Sequence, residues 1–174
     1  PDRGGMVEPQ LEPGRRLRDL EGPYDVVTGD VADTESIRKA VARVRPEVVY
    51  HLASTPFNPP TISAEKHLQV IVMGTLHLLE ELKAIPSVRV VAAGSAAVYG
   101  SGRRLSEQQP LAPATVLGAA KASASLLLQA YARMHRMETV ELRLFTPYGP
   151  GEHPRRLIPQ TILAALSGQE IRTT

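Results

Sequence analysis

Two side chains in this sequence combine useful chemistry with a demanding local context. Ser95 lies in Gly94-Ser95-Ala96-Ala97-Val98-Tyr99-Gly100, and Lys121 closes Gly118-Ala119-Ala120-Lys121. A turn serine can donate or accept a hydrogen bond at a substrate hydroxyl or carbonyl. A lysine supplies a positive charge that lowers the pKa of a neighbouring acid. Both also have ordinary explanations, since serines in such turns are often only turn formers and an isolated helix lysine is usually a solvated charge. Other polar residues fall where strands are expected to end: Asp30 in Gly29-Asp30-Val31-Ala32-Asp33, then His51-Leu52-Ala53-Ser54, and Thr146 after Phe145. Open parallel sheets bind ligands at the carboxyl ends of their strands, so polar punctuation at successive strand ends points to a ligand site. Asp30 could equally be a turn aspartate and Asp33 a helix cap, and a lone histidine such as His51 is more often structural. No His/Asp/Glu grouping has metal-ligand spacing, and Ser95 lacks the strand-to-helix context of a nucleophile elbow.

The elements that must carry these residues follow from periodicity. Strands are predicted at Tyr24–Thr28, Val48–Leu52, Val88–Ala93 and Thr139–Phe145, as short apolar runs of the kind buried on both sheet faces. Helices are predicted from Asp33 or Thr34 to Arg45, stopped by Pro46, and over His67–Ala84, Val116–Met134 and Ile158–Ser167. Thr55–Ser63, Gly94–Gly102 and Pro147–Pro154 read as loops or turns. Strand–helix alternation at this spacing implies right-handed crossovers and one α/β parallel sheet covered on both sides, with Asp30, Ala53, Ser95 and Thr146 on one rim. Residues 1–23 are rich in Pro, Gly and charge and read as an irregular lead-in, with one short helical turn at Arg15–Leu20; residues 24–174 form the domain.

Composition narrows the class. The chain has 174 residues, 43% of them hydrophobic, enough for one well-buried core. The net charge of +2 is dispersed, so neither a nucleic-acid nor a membrane partner is expected. There is no cysteine, which excludes disulfides and thiolate metal sites and fits a cytoplasmic location. No apolar run reaches the roughly 20 residues of a membrane span.

The motifs together resemble the extended short-chain dehydrogenase/reductase family, the NAD-dependent epimerases, dehydratases and ketoreductases of nucleotide sugars. That resemblance implies a Rossmann-type doubly wound parallel sheet, lacking here its first βαβ unit and most of the C-terminal substrate lobe. Gly29-Asp30-Val31-Ala32-Asp33 is similar to the family's Gly-Asp-x-x-Asp, whose first aspartate hydrogen-bonds the adenine amino group while the next residue, here Val31, packs near the ring. His51-Leu52-Ala53-Ser54 resembles His-x-Ala-Ala, which brings Leu52, Ala53 and Ser54 to the dinucleotide; small residues there let backbone approach the ligand. Ser95 would then orient the substrate, with Tyr99 and Thr146 near it, while Lys121 would hold the nicotinamide ribose and Phe145 would lie at the cofactor. The cofactor would be NAD or NADP, with the sequence leaving that choice open, and the reaction hydride transfer at a sugar carbon.

The departures from the pattern weigh as much. The family's Tyr-x-x-x-Lys has Leu117 at the tyrosine, its Asn-Val-x-Gly-Thr is Ile71-Val72-Met73-Gly74-Thr75, and its Leu-Arg-x-x-Asn-x-Tyr-Gly-Pro-Gly has Thr146 at the asparagine. Leucine cannot exchange a proton, and losing a general acid of this kind typically costs a factor of about 100 to 10,000. Tyr99 is a remote substitute. The glycine-rich turn that cradles a pyrophosphate is expected before residue 1 or not at all; if it is lacking, dinucleotide binding should be weak. Three readings stay open: an active enzyme, a non-catalytic relative kept for binding or assembly, and a piece of a longer enzyme. The family resemblance also implies a homodimer through a four-helix bundle, for which Leu76, Leu79, Ala124, Leu127, Leu128 and Tyr131 would supply apolar surface.

Overall fold

The structure is a computed structural model, and it describes residues 23–55, 62–154 and 156–170. Strands β1 (Val48–His51), β2 (Arg89–Ser95) and β3 (Glu138–Leu144) form a parallel sheet in that order. Val49 stands beside Val90, Val91 beside Val140 and Ser95 beside Leu144, so the three carboxyl ends share one edge. Helix α1 (Thr34–Val44) precedes β1. Between β1 and β2 run α2 (Ala64–His67), a π-helical stretch at Leu68–Met73 and α3 (Gly74–Leu82) without a break. Helix α4 (Val116–His135) connects β2 to β3, and α5 (Leu157–Leu166) follows β3.

Local chemistry sets these boundaries. Helix starts leave backbone N–H groups without partners, and short polar side chains supply them. Asp33 accepts from the Glu35 N–H at 3.1 Å, as its spacing predicts, Ser63 accepts from Lys66, and Thr115 accepts from Gly118 at 3.0 Å. Helix α1 ends on Arg45 in the left-handed region, and Pro46 cannot continue it. Gly100, at φ 68°, ends the single 3-10 turn Ala96–Tyr99 after β2; a Cβ there would stand 2.2 Å from the Ala112 carbonyl oxygen.

The core lies between the sheet and α1, α3 and α4. Leu78, Leu79, Leu82, Val88, Val90, Ala92, Leu128, Tyr131 and Met137 are buried together, with Ile37, Val41 and Val49 packed against them. Among the described residues only this face of the sheet is covered. On the other face Tyr50 is 69% exposed and Leu142 48%, and Val48, Val140 and Leu144 are also exposed. The two-sided apolar pattern that predicts cover on both faces is therefore present, but no described element lies over the second.

Two expectations need correction. Tyr24–Thr28 forms no strand. Its apolar pattern is right, but a strand exists only through a ladder partner, and the free edge of β1 pairs with no described segment. Secondly, the apolar surface assigned to helix pairing is largely used inside the chain. Leu79, Ala124, Leu128 and Tyr131 are buried, and Leu76 and Leu127 pack against the same core. The short turn expected at Arg15–Leu20 lies outside the described residues. No helix among the described residues is long and apolar enough to cross a membrane, and none of their His, Asp and Glu side chains gather into a group of three that could hold a metal.

Candidate functional site

Lys121 reaches the carboxyl half of β2 at Ala93, two residues before Ser95 ends the strand. Ser95 is the last residue of the strand, and its Oγ accepts the Ala97 N–H at 3.2 Å, which leaves the hydroxyl proton to donate elsewhere. Lys121, on the second turn of α4, turns back to the sheet and donates from Nζ to the Ala93 carbonyl at 2.9 Å. The helix can come this close because residue 118 is glycine; a Cβ there would lie 2.6 Å from the Ala97 carbonyl oxygen. Lys121, His51, Ala53, Thr75, Gly94 and Glu141 line one small cavity under the strand ends.

The charges in that cavity are arranged by burial. Desolvation pushes the Lys121 pKa down, and the Glu141 carboxylate opposes it. His51 is 8% exposed, and burial, with the Lys121 charge adding to it, lowers its pKa from 6.5 to about 4. The ring is therefore neutral at pH 7. The Thr75 hydroxyl spends its one proton on the Ile71 carbonyl at 2.6 Å, so its oxygen must accept from His51 Nε2–H at 3.0 Å. That fixes the tautomer and ties β1 to the π-helical stretch.

Other predicted residues distribute as follows. Asp30 is not at a strand end: its Oδ1 accepts the Ala32 N–H at 2.9 Å, the behaviour of a turn aspartate. Its loop is tied to α3 instead, with Val31 packed on Gly74 and the Val31 carbonyl accepting from His77 Nδ1 at 3.2 Å. Leu52 and Ser54 are exposed, and Ser54 donates to the Thr55 carbonyl. Phe145, one residue beyond β3, stacks on Tyr99 with ring centroids 6.5 Å apart. Tyr99 is buried, and its hydroxyl oxygen accepts from Arg143 at 2.7 Å. Thr146 adopts φ 31°, in the left-handed region that a β-branched residue resists and asparagine tolerates.

The two lost polar positions are neighbours. Leu117 and Ile71, which stand where the resemblance places a tyrosine and an asparagine, pack in one apolar cluster with Val72, Ala120 and Ala124. Where the motif has two polar side chains, this chain has apolar packing. Sequence reasoning missed Glu141 and Arg143, which sit inward on β3 and form an ion pair at 3.1 Å with side chains 14% and 16% exposed. The signal was available: in Glu138-Thr139-Val140-Glu141-Leu142-Arg143-Leu144, alternation puts charge rather than Val or Leu on the covered face.

A parallel α/β sheet with a serine, a partly buried lysine and small residues at its carboxyl edge defines a Rossmann-type domain. The model of the NAD dependent epimerase/dehydratase family matches residues 8–174, and the chain belongs to that family. It is 31% identical over 156 residues to dTDP-glucose 4,6-dehydratase of Neisseria gonorrhoeae, covering 82% of this chain and 45% of that protein. A probable UDP-glucuronate 4-epimerase of Rhizobium meliloti is 26% identical over 152 residues, covering 85% and 45%. Among solved structures, UDP-glucuronic acid 4-epimerase of Bacillus cereus in complex with NAD superposes with a TM-score of 0.76 at 26% identity, over 90% of this chain and 50% of that one. The chain spans about half the length of the curated relatives it matches.

Neutral His51 has a direct consequence for stability. Its folded pKa lies below the ordinary value, so the unfolded chain takes up the proton first as pH falls. The stability is fully present above about pH 6.5 and is lost toward pH 4, by on the order of 3 kcal/mol. Urea unfolding at pH 7 and pH 5 checks this: His51→Gln should flatten the pH dependence, and an unchanged slope would mean that His51 is not held neutral by the fold.

Proposed function

We propose that this chain forms the dinucleotide-facing domain of an NAD(P)-dependent nucleotide-sugar epimerase, dehydratase or 4-ketoreductase, working in the cytoplasm. The observation that carries the reading is the Lys121 ammonium held against the Ala93 carbonyl, two residues before Ser95. A lysine with no role at this edge would extend into solvent rather than lose its hydration. The described residues fit one part of a dinucleotide. Lys121 would hold the nicotinamide ribose, Ala53, Ser54 and Leu52 would lie along the backbone of the ligand, Phe145 would flank it, and Asp30 with Val31 would meet the adenine. No glycine-rich strand–turn–helix for the pyrophosphate occurs among the described residues. When bound, the cofactor supplies the hydride acceptor. The chain's own share is positioning: the free Ser95 proton points the sugar oxygen, while Tyr99, clamped by Arg143, and Thr146 shape the pocket beside it.

One observation favours a second reading, binding without turnover. Proton exchange with the sugar oxygen needs an acid or base. Leu117 is not one, and its place in the apolar cluster with Ile71, Ala120 and Ala124 supports this reading.

Leu117→Tyr separates the two. Leu117 lies one helical turn before Lys121 on the same face of α4, so a phenol there would have the lysine charge to lower its pKa. With NAD and either dTDP-glucose or UDP-glucuronate, turnover should rise about 100-fold or more over the unsubstituted chain. No gain despite normal binding of both ligands would favour the binding reading. Turnover near 1 per second in the unsubstituted chain, ordinary for an enzyme, would mean that another group moves the proton.

A homodimer belongs to the same proposal. With Leu79, Leu128 and Tyr131 buried internally, the surface offered by the helices to a second copy is Leu68, Met73, Leu126 and Met134, all exposed. Sedimentation at tens of micromolar should show a dimer that Leu126→Glu dissociates; a monomer at that concentration would remove the interface.

A further inference from the structure

We infer that Glu141 is a positioning residue for Lys121: a largely buried carboxylate on β3 that lines the same cavity and serves as the lysine's counter-charge beneath the carboxyl end of β2. The inference rests on the site proposed above and adds to it a residue for which the family motifs carry no signal.

The geometry begins with the two carboxylate oxygens. Oε2 accepts from Ser125 Oγ at 2.6 Å and from Arg143 Nε at 3.1 Å, so α4 and β3 both hold it. Oε1 lies over Gly94, where a Cβ would be 2.6 Å from it and 2.9 Å from the carboxyl carbon. Residue 94 therefore has to be glycine for Glu141 to reach under β2, and the carboxylate then lines the same cavity as Lys121.

The surroundings leave Glu141 alone in this role. From β1 the cavity receives His51, which is neutral; from β2 it receives backbone and the small Ala92, Ala93 and Gly94; from the π-helical stretch and α3 it receives uncharged Ile71 and Thr75. Arg143 stands on the far side of the carboxylate, donating to Tyr99 as well. Burial alone would drive Lys121 toward the neutral amine, and Glu141 is the charge that opposes this. Arg143 in turn joins Glu141 to Tyr99, so the carboxylate that shares the Lys121 cavity is tied to the turn that follows Ser95. Removing the carboxylate charge leaves the partly buried Lys121 without the charge that opposes its desolvation.

Competitive labelling of lysines with acetic anhydride, read by mass spectrometry across pH, tests this without any cofactor. Glu141→Gln keeps the shape and an acceptor for Ser125 but removes the charge. Lys121 should then titrate at lower pH and label severalfold faster at pH 8, while Lys39, Lys66 and Lys83 stay unchanged. Glu141→Asp, which keeps the charge, should restore the original behaviour. Unaltered Lys121 labelling in a folded Glu141→Gln chain would overturn the inference, as would equal shifts in the Gln and Asp variants, which would make Glu141 a matter of volume. If the Gln variant does not fold, the 15Nζ shift of Lys121 in the unsubstituted chain decides. A Lys121 signal that moves as the Glu141 carboxyl titrates supports the inference, and one that ignores that titration overturns it. Should Lys121 respond as expected while NAD and NADP fail to bind the chain, the dinucleotide reading fails and the Glu141–Lys121 coupling stands.

Discussion

The site depends on one hydrogen bond, from the Lys121 ammonium to the Ala93 carbonyl. Forming it takes a charge out of water, and most of what surrounds it reads as a response to that cost. His51 stays neutral beside it, with its Nε2 proton committed to Thr75. Glu141 comes under β2 through the space left by Gly94, and Ser125 and Arg143 hold it there. Because Lys121 reaches β2 from the second turn of α4, the hydrogen bond also fixes how deeply that helix sits against the Ser95 turn, where only glycine fits at 118.

The long connection between β1 and β2 serves the same purpose from the other side. Its π-helical stretch, Leu68–Met73, places Ile71 over the cavity, and the wider helical turn is a feature often found at functional sites. Thr75 returns a hydrogen bond to the Ile71 carbonyl and receives one from His51, so strand and helix are joined by a buried polar chain rather than by apolar contact alone. At the far end, Tyr131 of α4 donates to Glu80 of α3, which links the two helices beyond the apolar core. The same helices carry Leu117 and Ile71 into contact. Leu117 and Ile71 belong to one apolar cluster with Ala120 and Ala124, one helical turn from Lys121 on α4.

Much of this was legible in the residues. Apolar runs bounded by Asp33, Pro46 and Gly94 place α1, β1 and β2 to within a residue or two, because caps and breakers act locally. That Ser95 ends β2 and that Lys121 lies early on the following helix was legible through the lengths of strand and helix. Tyr24–Thr28 was misread because its β pattern is local while its partner strand is not. The helix stripes carry a similar ambiguity. An amphipathic stripe shows which residues want burial, but not whether the sheet or a second copy supplies it, and Leu79, Leu128 and Tyr131 went to the sheet. Glu141 and Arg143 were visible as charge on the inward face of a strand, but only the fold shows that Gly94 and Lys121 lie opposite. The strain at Thr146 has no sequence signal beyond the unusual residue itself, since φ is set by the loop leaving β3.

The central claim is that the carboxyl edge of β2, with Lys121 above it, receives the nicotinamide half of a dinucleotide. Amide chemical-shift mapping of the 15N-labelled chain with millimolar NAD and NADP measures this directly, and it tolerates weak binding. The shifts are expected to concentrate at Ala53, Ser54, Ser95, Ala97 and Lys121, and to fade in Lys121→Met. Saturable shifts confined to other parts of the chain, or none at these amides with either dinucleotide, would contradict it.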